Sequence, residues 1–158
     1  MKNCRMKRLS HQERGIQEKM KIVVKRGFDF DVSDDALIEL AKRKGIKVYP
    51  QYVESDHAII WNVPQEEWKD KPIFGDFLVF TEWAEYVNKN SFHIGKLERT
   101  DSDLIALIEE KGSYFVSGYN SELGIVEIPD GIEWEIAEND EFGDEWVEEK
   151  HRSWHVKP

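Results

Sequence analysis

Between Thr100 and Ile136 the spacing of apolar residues changes from a helical period to a strand period, and this change limits the fold most. Thr100 is the predicted N-cap of the helical part, and Gly112 ends it. The helical part has one apolar face: Leu104, Ile105, Leu107 and Ile108. The strand part alternates apolar with acidic residues: Ile132, Glu133, Trp134, Glu135 and Ile136. A helix followed by half-buried strands predicts an α+β fold.

Pro129-Asp130-Gly131 has the composition of a tight turn. A strand from 123 to 128 precedes it and the alternating segment follows it, so we predict a β-hairpin. Its inner face is expected to carry Trp134 between Ile132 and Ile136.

A second helix is predicted from its N-cap Ser33 to Gly45, and a first strand begins at Met20. In the middle of the chain, strands are expected at 46–49, 57–63, 77–80 and 91–99, with 81–87 read as a short helix or a strand edge. The predicted fold is therefore a single α+β domain over 20–158, with a mainly antiparallel sheet flanked by two main helices. Residues 1–19 are basic and aperiodic, which predicts a disordered extension.

Charge narrows the choice of partner. Residues 1–19 carry six Lys or Arg and two Glu, a balance of +4, which leaves −14 for the rest of a chain whose net charge is −10. So acidic a body repels nucleic-acid backbones, although a local cationic pocket can still hold one small phosphorylated ligand. The single cysteine and the lack of a long apolar run predict a cytoplasmic protein without membrane contact.

Motifs of catalysis and metal binding are missing. His151 and His155 are four residues apart, but no HExxH or CxxC motif is present. The segment 122–149 has twelve carboxylates but lacks the ligand pattern of a calcium loop, and reads as a solvated face. No nucleophile elbow or phosphate-binding glycine loop occurs. We therefore predict no enzyme, no metal and no cofactor.

Two arginines are candidates for binding an anion. Arg152 lies in a cationic segment between Trp146 and Trp154, where arginine could grip phosphate and an indole could stack on a base. The alternative is a closing strand whose tryptophans are core and whose cations pair with carboxylates. Arg99 lies beside Asp101, just before a predicted helix N-terminus, where anions are favoured.

Three segments, 20–28, 99–104 and 126–136 followed by 149–154, resemble a family of small phage-encoded proteins, and within it the Thoeris anti-defence sponges. These sequester cyclic ADP-ribose isomers made by bacterial TIR-domain immune enzymes. The resemblance implies a homodimer or higher homo-oligomer that traps the nucleotide without cleaving it. Carried over, the ligand-binding residues share these motifs: Arg99, Asp101, Trp134, His151, Arg152 and Trp154.

In this resemblance Arg99 and Arg152 would hold the pyrophosphate, and Trp154 or Trp134 would stack on adenine. The loop 139–144 is longer than the family's usual turn, which affects ligand choice if the loop borders the pocket. Two other functions are weighed against the trap. An acidic DNA mimic would bind a host defence protein, and a small nucleotide-processing enzyme would use Glu or His as a base.

Overall fold

The computed structural model describes residues 18–54 and 56–150. Its elements, in chain order, are β1 (Lys19–Arg26), α1 (Asp34–Arg43), β2 (Tyr49–Gln51), β3 (Ile59–Trp61), α2 (Phe77–Asn90), α3 (Ser102–Lys111), α4 (Ser113–Val116), β4 (Glu122–Pro129), β5 (Trp134–Glu138) and β6 (Glu145–Glu149). Single 3-10 turns lie at Gln65–Glu67 and Ile94–Lys96. No helix of the described part is long and apolar enough to cross a membrane.

The strands form three antiparallel pairs, β1–β4, β2–β3 and β5–β6. The α+β class and the single domain are confirmed, but the antiparallel pairing is divided among small sheets. The predicted hairpin is wrong, because β4 pairs with β1 along eight residues, from Lys19 opposite Pro129 to Arg26 opposite Glu122. That partner offers a longer ladder of backbone hydrogen bonds, so β5 pairs onward with β6.

The two predicted helices enclose the core. In α1, the hydroxyl of Ser33 accepts from the amide of Ala36 at 3.2 Å, as expected of an N-cap. The N-cap of α3 is Asp101 rather than Thr100, since its carboxylate accepts from the amide of Leu104 at 2.9 Å. The two helices contribute the buried side chains Ala36, Leu37, Leu40, Ala41, Leu104, Ile105, Leu107 and Ile108.

The middle of the chain departs most from the prediction. Residues 77–80 are not a strand but the first turn of α2, because the carboxylate of Asp76 caps the amide of Val79 at 3.1 Å. The segment 91–99 holds a 3-10 turn, and only Ser91 makes a β-bridge there, to Trp61. The strand predicted at 46–49 is displaced, because β2 spans Tyr49–Gln51 and places Pro50 inside its pairing with β3.

The ends of the chain bear on two predictions. Residues 1–17 of the expected extension lie outside the described residues. β1 begins at Lys19, one residue earlier than predicted. Three predicted site residues, His151, Arg152 and Trp154, also lie outside the described residues.

Candidate functional site

A part-open cavity of about 450 Å³ lies between α1, the β2–β3 pair and α2. Its floor is formed by apolar side chains that belong to the core: Val32, Leu37, Ile60 and Phe92. Most of its wall, from Gln51 to Ile94, comes from the middle of the chain, for which the sequence suggested no role. Cavities of this size and apolar character are the usual form of small-molecule sites.

An indole and two lysines form one side of the cavity. The ring nitrogen of Trp83, on α2, donates to the carbonyl of Lys69 at 2.9 Å, which fixes the ring. The ammonium of Lys71 lies 6.0 Å from the centre of the Trp83 ring, and that of Lys69 lies 4.0 Å from the centre of the Tyr86 ring. No carboxylate within the described ranges comes within 4.0 Å of either ammonium. This side of the cavity is therefore aromatic and cationic.

Polar groups of the opposite sign lie on another side. The imidazole of His57 places Nε2 3.4 Å from Asp31 Oδ2 and Nδ1 3.8 Å from Asp34 Oδ1. Both carboxylates are fixed by backbone amides, of Val32 at 3.0 Å and of Ala58 at 3.0 Å. The carboxylates can accept from hydroxyl or amino groups of a ligand. Among the described residues, no group of three or more His, Cys, Asp or Glu is arranged to hold a metal ion.

Arg99 is engaged inside the protein. Its guanidinium donates to both carboxylate oxygens of Glu145, at 2.6 and 2.9 Å, and to the carbonyl of Val23 at 3.1 Å. Its carbon Cζ lies 3.6 Å from the centre of the Phe30 ring. The Glu145 side chain is 5% exposed. A buried carboxylate thus already occupies the bidentate position of Arg99, and an external anion would have to displace Glu145 there. Ligand binding by Arg99 stays a prediction.

Lys25 joins the same cluster. It is buried, and its ammonium donates to the carbonyls of Gly27, Phe28 and Gly143 at 3.0, 3.2 and 2.6 Å. Its amide donates to Glu145 at 3.0 Å. The acidic segment 122–149 has no cation of its own, and Lys25 and Arg99 supply the charge that lets part of it fold inward.

Trp134 is half-buried rather than a core residue. It lines a second, more open depression with Lys19, Lys21, Thr100 and Ser102, separate from the cavity beside α2. The alternation predicted for 132–136 is confirmed, since Ile132, Trp134 and Ile136 are partly covered and Glu133 and Glu135 are exposed. The pairing of Arg99 with Arg152 stays a prediction, because Arg152 is outside the described residues.

Asp101 caps α3 and also binds Lys44, whose ammonium lies 2.6 Å from Asp101 Oδ2. Burial alone raises the pKa of this carboxyl, but the hydrogen bonds from Lys44 and Leu104 outweigh it, so the net pKa lies below the ordinary 3.8. These contacts give Asp101 a structural role.

Asp101→Asn should make the stability of the fold less sensitive to acid. A carboxyl whose folded pKa is below its unfolded pKa stabilises the fold above the unfolded value, and that stabilisation is lost as pH falls through the folded value. Asn keeps the cap but has no charge to titrate. Between about pH 6 and about pH 3, the free energy of unfolding measured with urea should fall more steeply in the parent than in the variant. Equal slopes of the free energy of unfolding against pH in parent and variant would refute this prediction. The control is Asp140→Asn, at an exposed carboxylate.

The cavity was missed because its residues come from segments without a motif. Lys69 and Lys71 lie in a loop. Trp83 lies on α2, whose first turn, 77–80, was predicted to be a strand. The one signal was the richness of the middle segment in aromatic residues. Comparison of the chain with protein-family models, with curated proteins and with solved structures gives no match, so its function is argued from this geometry.

Proposed function

We propose that the protein binds and sequesters a small phosphorylated nucleotide, such as a cyclic ADP-ribose isomer, in the cavity beside α2. The observation that carries the proposal is the side of the cavity where Trp83 lies next to Lys69 and Lys71. A base stacked on an indole gains about 1–3 kcal/mol, and ammonium groups attract phosphate. The same side would therefore bind both parts of a nucleotide.

The other side of the cavity fits a sugar. Asp31 and Asp34 present carboxylate oxygens to the cavity, and these accept hydrogen bonds from ribose hydroxyls. The acidic surface of the chain would discourage long nucleic acids, whereas a single small nucleotide needs only the local lysines. The trapping of a cyclic nucleotide immune signal, which the resemblance implies, agrees with such a ligand.

A second candidate is a nucleotide-processing enzyme. It is favoured by His57, which lies between Asp31 and Asp34 in the wall of the cavity. A carboxylate beside an imidazole can orient it and support it as a general base. The two functions differ in the fate of the ligand, which a binding protein releases unchanged.

The test is to incubate the full chain with a cyclic ADP-ribose isomer, remove the protein-bound fraction, and release the ligand by heat. Depletion followed by recovery of intact ligand supports sequestration. Recovery of an altered ligand supports the enzyme instead. If His57→Ala no longer alters the ligand, the chemistry would be placed at this histidine. No depletion of the nucleotide rejects both functions for this ligand.

Trp83→Ala should weaken nucleotide binding by about 5- to 150-fold in calorimetry, the equivalent of one stacked base. Lys71→Ala should also weaken it, and more so at low salt. Lys47→Ala is the matched control, because Lys47 is exposed and lies 5.4 Å from the centre of the Tyr49 ring but does not line the cavity. Unchanged binding in Trp83→Ala and Lys71→Ala would exclude this cavity as the nucleotide site. The predicted pair Arg99 and Arg152 would then remain as the alternative site.

A further inference from the structure

The first turn of α2 and the loop before it expose an unusual amount of apolar surface. We call this the α2 apolar surface, formed by Ile73, Phe74, Phe77, Leu78, Val79 and Phe80. Phe74 is 93% exposed, and Ile73 and Phe77 are each 87% exposed. No residue of α2 is buried, although its sequence is rich in aromatic and aliphatic side chains.

The fold itself covers only another part of the helix. The loop that contains residues 65–71 contacts Trp83 and Tyr86, through bonds to the carbonyls of Lys69 and Glu67 at 2.9 and 2.7 Å. Tyr86 also packs against Trp61, with ring centres 6.1 Å apart. The second half of α2 is therefore anchored, and its first turn projects from the described part of the chain.

We infer that the α2 apolar surface is the contact through which two copies of this chain form a dimer. If each of the six side chains has about 150–200 Å² of surface, the lower part of the range for aromatic side chains, the exposed fractions correspond to roughly 600–800 Å² per copy. A two-fold contact would then bury roughly 1,200–1,600 Å² in total, which is the size of a stable interface. Single exposed patches on monomers are usually smaller, about 300–600 Å².

Charge favours a second copy at this surface. The chain has a net charge of −10, so two copies repel one another across most of their surfaces. Within 73–80 the only charged residue is Asp76, and its carboxylate is held by the amide of Val79. Aromatic side chains without charge are typical of interface centres, and a two-fold contact needs no surface but this one.

Analytical ultracentrifugation of the full chain, over a range from low to high micromolar concentration, tests this inference. The parent should change from monomer to dimer, and Phe77→Asp or Phe74→Asp should weaken dimerisation by at least about 30-fold. Circular dichroism should show the parent fold in both variants, because these side chains are exposed in the monomer. Tyr119→Asp, at an aromatic residue 91% exposed elsewhere, should dimerise like the parent.

Two results would overturn the inference. One is a parent that stays monomeric at the highest concentration. This would refute the dimer even if the α2 apolar surface proves to bind a different protein. The other is a dimer that forms equally well in Phe77→Asp. Neither result bears on the cavity, since neither Phe74 nor Phe77 lines it, and nucleotide binding is measured separately.

Discussion

Glu145→Ala should destabilise the fold by about 3–5 kcal/mol, the cost of removing one partner from a buried ion pair. The variant leaves the Arg99 guanidinium without both of its carboxylate contacts, and it leaves the amide of Lys25 without its acceptor. Lys25 would remain buried, whereas the Arg99 side chain, 25% exposed, would regain only part of its hydration. The β5–β6 pair should loosen first, because β6 carries Glu145 and packs on β1 through this cluster.

Urea unfolding gives the free energy, and Glu148→Ala is the matched control on the same strand. Among the residues that the structure describes, Glu148 accepts only from the exposed ring of Trp146, so its removal should cost less than about 1 kcal/mol. A double-mutant cycle with Arg99→Ala should show coupling of Glu145 and Arg99. Equal, small losses in the two glutamate variants would contradict the structural role given to this cluster.

The same cluster changes how Arg99 can be tested. If Arg99 had no internal partner, Arg99→Ala would affect only a ligand. Because its guanidinium is bound to a buried carboxylate, the variant should also lose stability, and lost binding alone would be ambiguous. Binding must therefore be compared at a temperature where the variant is still folded.

Local signals predicted α1 and α3, whereas the start of α2 was read as a strand and α4 was not predicted. In α1 and α3, one apolar face, a capping side chain and a terminal glycine agree, and each signal acts within a few residues. Strand pairing depends on distant residues, which explains the failure of the hairpin. The turn at 129–131 was read correctly as a break, but β1, about a hundred residues away, provides the longer partner for β4.

The candidate site was harder to predict than the fold. Arg99 and Asp101 stood out as polar residues at a helix start, and both turn out to make internal ion pairs. The cavity depends on Trp83, Lys69 and His57, which are separated in sequence and form no motif. Single-sequence patterns identify residues that can bind, whereas the fold decides which of them already have partners.

Trp61→Ala should cost about 3–5 kcal/mol, because it deletes a large side chain that the surrounding structure cannot replace. Trp61 is 0% exposed, and its ring nitrogen donates to Gln51 Oε1 at 2.7 Å. Its ring lies parallel to that of Trp68, at 17° and 6.0 Å between centres. Its ring centre also lies 6.1 Å from that of Tyr86, so Trp61 connects the β2–β3 pair both to Trp68 and to α2.

The matched control is Trp146→Ala, because this substitution removes the same side chain from the surface of β6, where Trp146 is 43% exposed. It should cost less than about 1 kcal/mol in urea unfolding. Trp61→Ala should also weaken nucleotide binding at temperatures where it is folded, because Gln51 lines the cavity and loses the donor that orients it. Equal stability losses in the two tryptophan variants would show that Trp61 is not part of the core. Normal nucleotide binding by a folded but destabilised Trp61→Ala would instead show that the cavity keeps its shape without this support.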